Sequence, residues 1–384
     1  MLIRNALAVR RDRIQPCDIR VTDGKIAAIA PQLEPLPDFA REEIYDAGGS
    51  YVLPGLIDSH THGAVGSVYY RTDCDVEKIT AFEASEGVTA VAATLESAPI
   101  DREIELVEHL LPFLENGTPG ARLVGIHFEG PFLNPAKKGA MDPDGMVLPN
   151  VRDFDRLYEA SRGYMKLITV APEMPGAAEV IRRAAEKGVA VSAGHSMASY
   201  EEMKRAIDLG VTRMTHTFNA CRPFEHREPG LLGAALTDER VTCEVICDFA
   251  HLHPAAVELI YRAKGSSRFT AISDSEFAAG LCEGRLVSED GTERYIDGGV
   301  ARLADGTICG SASSLWRGFV NLCSLGLPLR EVSETVSANP ARALGIYDRV
   351  GSIDIGKEAD LCVVSREMKL QKTFVSAKGH ITAC

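Results

Sequence analysis

Five short apolar runs in this chain each end on an imidazole or a carboxylate: on His60 and His62, on Glu129, on His195, on His216 and on Asp274. A buried strand tolerates such a group only with a partner, because an unpaired charge in a low dielectric is costly. Six of them at the ends of short apolar runs point to one polar cluster gathered from across the chain. Nitrogen and oxygen donors in that proportion suit a divalent metal, and the chemistry of such a centre is the activation of water. His60-Thr61-His62 has the period of a strand, which sends both imidazoles off the same side, where they can chelate one ion. Glu129 can bridge two ions or complete one. Any one of these histidines alone reads more simply as a satisfied core or loop residue. All six, in this order, read as the metal centre of a hydrolase.

The elements that must carry them alternate. Strand candidates lie at 51–57, 88–94, 122–128, 166–170, 190–193, 213–215, 242–247 and 269–273, with amphipathic segments such as 104–114, 177–187, 199–209 and 254–264 between them. Ser199 with Glu202 makes a capping box, and Gly87, Gly188, Gly210 and Gly265 stand where left-handed C-caps belong. Eight strands alternating with helices predict an α/β fold, a distorted (β/α)8 TIM-type barrel. All six groups fall at its active face, the carboxyl ends of the strands. A doubly wound open sheet accommodates the same alternation but gathers its ligands at one crevice.

The β-rich flanks are each too short to bury a core alone. They predict a small β-sandwich domain built from both termini, residues 1–53 with 346–384, beside a catalytic barrel at 54–345. Two long connections, 130–150 and 276–310, read as structureless lids or binding loops.

A net charge of −13 argues against nucleic acid or an anionic membrane as the partner, and no apolar run approaches a membrane span. The first residues lack the pattern of a signal peptide. Ten cysteines without framework spacing suit reduced thiols and a cytoplasmic location. Cys243 and Cys247 fall on one face of a strand and read as core, not as a metal pair. The stretch from Gly351 to Lys357 nearly spells a phosphate-binding loop, but Glu358 stands where Ser or Thr is required, so it reads as a turn.

The run Pro54-Gly55-Leu56-Ile57-Asp58-Ser59-His60-Thr61-His62-Gly63 resembles the opening signature of the amidohydrolase superfamily. Further motifs follow in order: His-Phe-Glu-Gly-Pro-Phe (127–132), Val-Ala-Pro-Glu (170–173), Ala-Gly-His-Ser (193–196), Thr-His-Thr-Phe-Asn-Ala (215–220) and Arg-Glu-Pro-Gly (227–230). Together they are similar to the N-acetylglucosamine-6-phosphate deacetylase family. The resemblance implies hydrolysis of the acetamide of that sugar phosphate, with zinc, or else iron, manganese, cobalt or nickel, as the metal. Glu129, His195 and His216 would hold the principal ion. His60 and His62, with Asp274 and a bridging Glu129, would hold a second where two are used, and Asp274 would be the general base and then acid. Substrate contacts are implied at Ala140, Met141, Asn219, Ala220, Arg227, Asp248, His251, Ile308, Cys309 and Gly310. Arg227 would come from the other chain of a homodimer, although alone it reads as readily as a surface ion pair with Glu225 or Glu228.

The chain departs from that pattern near the substrate. Met141 stands where a histidine is usual, Phe249 where glycine is common, and Cys221 where methionine is usual; Glu276 and Phe277 follow Asp274 in place of small residues. These changes leave open the galacto epimer or another N-acyl compound. A metal-binding barrel without catalysis is a further alternative, against which the retained Asp274 argues.

Overall fold

Eight parallel strands follow one another in sequence order round a nearly closed barrel in this computed structural model, which describes residues 1–36, 42–287, 293–375 and 380–382. They are Leu56–Thr61, Val88–Glu96, Arg122–Glu129, Met165–Val170, Ala190–Ala193, Val211–Met214, Thr242–Ile246 and Phe269–Ile272. Covered on both faces, such strands are apolar almost throughout, and Val88–Glu96 is buried along nearly its whole length. The last strand meets the first through Asp274, whose N–H donates to the His60 carbonyl at 3.0 Å.

A helix follows each strand: Val76–Ser85, Ile100–Asn116, Val151–Ala160, Ala177–Glu186, Tyr200–Leu209, Gly230–Thr237, Pro254–Lys264 and Leu315–Ser324. Apolar residues recur at the helical period on the face turned to the barrel. Ile100–Asn116, for example, buries Leu106, Val107, Leu110, Leu111 and Leu114 there, three to four residues apart. Tyr200–Leu209 opens on the predicted capping box, Ser199 and Glu202 exchanging both hydrogen bonds.

The candidate strand 51–57 is two strands. Tyr51–Pro54 pairs antiparallel with Leu361–Val364 in the terminal sheet, and the barrel begins again at Leu56. The break falls at Gly55, where an added Cβ would lie 2.3 Å from Thr89 Oγ1 and 2.4 Å from its Cγ2. Its N–H is taken by the Asp360 carbonyl at 2.8 Å. Periodicity carries no trace of this change of partner, because both halves are equally apolar.

Both termini build one mixed sheet, in which Leu2–Val9 pairs with three strands at once. The sheet curls back on itself where Ile26 N–H reaches the Lys357 carbonyl and Ala359 N–H the Gly24 carbonyl, each at 2.8 Å. Ile3, Ile19, Ile26, Val52, Leu361 and Val363 form the core between its layers. Lys357 lies in a turn, as expected, with its ammonium 3.6 Å from the centre of the Tyr347 ring.

Residues 276–310 are not structureless. They carry an antiparallel meander, Gly284–Val287, Glu293–Asp297, Val300–Leu303 and Ile308–Ser311, with residues 288–292 outside the described set. Its strands are short and half-exposed, so alternation is weak; the legible signal was Gly298-Gly299, both at positive φ, a two-residue hairpin turn. The connection at 130–150 holds short 3₁₀ turns at Pro135–Lys137 and Pro143–Gly145. Ala140 from this connection packs on the meander beside Ala278 and Cys309, so the two long connections meet.

Candidate metal centre

The barrel brings together all six residues that the sequence singles out. Glu129 lies at the centre, and each of its oxygens serves a different group. Oε1 is 3.2 Å from His195 Nε2 and 2.8 Å from His216 Nε2. Oε2 is 3.4 Å from His60 Nε2 and 3.0 Å from His62 Nε2. Asp274 Oδ1 closes the second group at 3.2 Å from His60 and 3.4 Å from His62. Within each group the ligand atoms lie within 4.8 Å of one another.

Three of these residues stand just past their strand ends with left-handed backbone: His195 at φ 46°, His216 at φ 22° and Asp274 at φ 50°. Such a conformation costs a side-chain-bearing residue about 1–3 kcal/mol, and it persists only where the surroundings enforce it. Strand geometry alone sends successive residues to opposite faces; the turn is what re-aims these side chains across the barrel mouth.

Burial alone raises the Glu129 carboxyl, but the charge of His60 and hydrogen bonds with His195 and His216 outweigh it and hold Glu129 well below the usual range. Asp274 is likewise held low against burial by His60 and His62. Burial lowers His62, yet its hydrogen bonds with Asp274 and Glu129 push it up to about 10. Protons and a divalent cation compete for the same lone pairs, so metal uptake at such a centre releases protons. The donor set fits a divalent ion. His195 Nε2 and His216 Nε2 converge to 3.1 Å, and buried His60 Nε2 has no well-formed hydrogen bond among the described residues.

A ring of polar residues, which strand-end reading missed, lies behind the ligands. His60 Nδ1 is 3.2 Å from Glu244 Oε2, and Glu244 Oε1 accepts from Arg213 Nε at 3.2 Å and Nη2 at 3.1 Å. Burial raises the Glu244 carboxyl, but Arg213 and then His60 bring it down to about 2. His127 stands edge-on to His60 with centroids 4.6 Å apart, held between Thr94 and Thr169 at 3.3 and 2.9 Å. Burial first, then the charge of His60, lowers His127 to about 3, so it is neutral. On the outer side of His195, Nδ1 donates to the Lys137 carbonyl at 2.7 Å. Glu173 ties three segments beside His195, binding Asn134 Nδ2 at 2.9 Å, Ser196 Oγ at 2.7 Å and Met197 N–H at 2.5 Å. The signal for Glu244 and Arg213 was present: each is a charge inside an apolar strand.

Of the residues implied for substrate, Ala140, Met141, Asn219, Ala220, Arg227, Asp248 and His251 lie on loops, and Ile308, Cys309 and Gly310 on the last strand of the meander. Asn219 N–H donates to the His216 carbonyl at 2.8 Å, and the Ala220 carbonyl accepts from Ser196 N–H at 3.2 Å. Asp248 accepts from His251 Nδ1 at 2.7 Å and from Ser311 Oγ at 3.1 Å. Gly310 could carry no side chain, since a Cβ would lie 2.5 Å from Glu276 Cβ. The Ile308–Ser311 strand is tied to the centre where Ser311 N–H donates to the Asp274 carbonyl at 2.8 Å. Met141, within the 130–150 connection, is buried. Phe249 has φ 67°, a conformation that favours glycine. Arg227 is exposed and makes no ion pair among the described residues; Glu228 pairs instead with Arg222.

Residues 51–381 match the amidohydrolase family. The chain is 33% identical to the N-acetylglucosamine-6-phosphate deacetylase of Bacillus subtilis (strain 168), over 99% of this chain and 96% of that one. It is also 33% identical to the N-acetylgalactosamine-6-phosphate deacetylase of Escherichia coli O157:H7, over 94% and 93%. In structure it is similar to a mutant N-acetyl-D-glucosamine-6-phosphate deacetylase from Mycobacterium smegmatis in complex with N-acetyl-D-glucosamine-6-phosphate. The TM-score is 0.90 at 29% identity, covering 100% of this chain and 99% of that one.

Proposed function

The chain belongs to the amidohydrolase family, and from that premise we propose that it is a metal-dependent deacetylase converting N-acetylglucosamine 6-phosphate to glucosamine 6-phosphate and acetate. The observation that carries this reading is the pair of ligand groups sharing Glu129, with Asp274 in one of them. Glu129, His195 and His216 would hold one divalent ion, and His60, His62, Asp274 and the other Glu129 oxygen a second, with zinc the expected metal. A bound ion supplies a Lewis acid that polarises the amide carbonyl and lowers the pKa of water toward neutrality.

Asp274 takes the proton of the attacking water and returns it to the leaving amine. His251, oriented by Asp248, joins Asn219 and Ala220 in holding the sugar phosphate, and Arg227 adds a forked, charge-assisted grip from the second chain of a homodimer. Ala140, Met141, Ile308, Cys309 and Gly310 wall the sugar. The nine described cysteines are free, which supports a cytoplasmic enzyme, and among the described residues no helix is long and apolar enough to cross a membrane.

A second reading, the galacto epimer as substrate, is left open by Met141 and Phe249 and is supported by a galactosamine-type relative at the same 33% identity. The test is amine release by metal-analysed protein from the 6-phosphates of N-acetylglucosamine and N-acetylgalactosamine and from unphosphorylated N-acetylglucosamine. Turnover of the phosphorylated gluco sugar above the other two supports the first reading, and preference for the galacto sugar the second. No turnover of any with metal bound sinks both, and leaves another N-acyl substrate or a non-catalytic barrel.

A further inference from the structure

Two of the four imidazoles at the centre are oriented from behind. His195 Nδ1 donates to the Lys137 carbonyl, and His60 Nδ1 faces Glu244, whereas His62 Nδ1 and His216 Nδ1 have no hydrogen-bond partner among the described residues. The two supports differ in kind. A loop carbonyl is a neutral acceptor. Glu244 is a carboxylate sealed inside the barrel at 0% exposure, clamped by Arg213 at 4%. An ion pair buried that deeply adds little stability over apolar residues of the same volume, so its presence needs another reason.

The reason lies in the tautomer. An ionised carboxylate only accepts, so in the neutral ring the His60 proton resides on Nδ1 and the lone pair on Nε2. That lone pair faces Glu129 Oε2 at 3.4 Å and Asp274 Oδ1 at 3.2 Å. Three electron-rich atoms so placed repel one another unless a cation lies among them. Without Glu244, the ring could carry its proton on Nε2 and satisfy the two carboxylates by hydrogen bonding alone. His127, edge-on to His60 and pinned by two threonines, hinders the ring from turning away.

We propose that Glu244, held by Arg213, is a positioning residue that fixes His60 as a metal ligand, so that the divalent-cation affinity of the group of His60, His62, Glu129 and Asp274 depends on it. This rests on the metal-centre part of the proposed function and not on the choice of substrate.

The test counts cobalt(II) without any turnover assay. Metal-stripped wild type and Glu244→Gln are titrated with cobalt(II), followed by visible absorption and by elemental analysis after gel filtration. The expected result is two ions per chain in wild type. In Glu244→Gln, whose amide can face either tautomer, the first ion should bind unchanged and the second about 10–100-fold more weakly. The spectral signature of the second site should appear only at the higher cobalt concentration. Arg213→Lys, which keeps the charge but not the fork, should shift the second site in the same direction by less, and it serves if Glu244→Gln does not fold. Two ions at wild-type affinity in the folded variants would overturn the proposal. So would equal weakening of both sites, or a wild type that takes up one ion. A failed sugar assay touches none of these outcomes.

Discussion

In the proposed function Asp274 is the residue on which hydrolysis turns, because it alone of the six is asked both to hold the centre and to move a proton. Asp274→Asn keeps the shape and one acceptor oxygen while removing the proposed base. Turnover should fall by at least 10²-fold, the scale of general acid–base catalysis, while the ion at Glu129, His195 and His216 stays bound. Steady-state kinetics beside metal analysis decides this, and a variant with near-normal turnover removes Asp274 from its role. All six residues were legible in the sequence, because each ends or closely follows an apolar run that no unpartnered charge should end. Glu244, Arg213 and His127 were not read, although they are as charged or polar as the others. They sit inside strands, and attention to strand ends overlooks a barrel whose interior is itself polar beneath the mouth. The left-handed turns at His195, His216 and Asp274 left no sequence signal, since none of the three is glycine.

Gly55 is where one apolar run becomes two elements with different partners. With Thr89 packed against it, the site has no room for a methyl group, and the β-branched side chain of Thr89 has few rotamers in which to yield. Gly55→Ala should lower the unfolding free energy by about 1–3 kcal/mol, the usual cost of overpacking. Urea denaturation reads it, and an unchanged midpoint would show that the first barrel strand can shift away from Val88–Glu96. At this scale the eight-strand count was legible because parallel strands covered on both faces are continuous apolar runs bounded by helices. The meander was not, because its strands are short and half-wet and their registers depend on pairing that periodicity cannot reveal.

Arg122 ties the two sheets of the molecule together. It opens the third barrel strand and pairs with Asp360 and Glu358, which lead into Leu361–Val364 of the terminal sheet. Asp360 is 4% exposed, so Arg122 supplies its charge to a carboxylate held out of water. Arg122→Ala should cost about 3–5 kcal/mol, the range for breaking a buried pair. Metal content at saturating ion should not change, because the contact lies at the opposite end of the barrel from the ligands. Parallel thermal melts and metal counts check both halves of this expectation; a wild-type melting temperature refutes the first. The joint construction of the terminal sheet was legible from the shortness of each flank. The salt link that fastens it to the barrel was not, since nothing in the sequence brings position 122 beside 360.

A sheet made from both ends of a chain also has a history. Tyr51–Pro54 leaves a ribosome roughly 300 residues before its antiparallel neighbour, Leu361–Val364. At about 5–20 residues per second that is an interval of some 15–60 s. Until then Ile3, Ile19 and Val52 lack the cover of Leu361 and Val363, and one edge of Tyr51–Pro54 offers open backbone groups to any passing strand. The barrel strands and their ligands are complete before that gap closes. For a nascent chain, the hazard therefore lies in the wait of the first strands for the last, and a factor that shields the amino-terminal segment during synthesis would act where this topology is weakest.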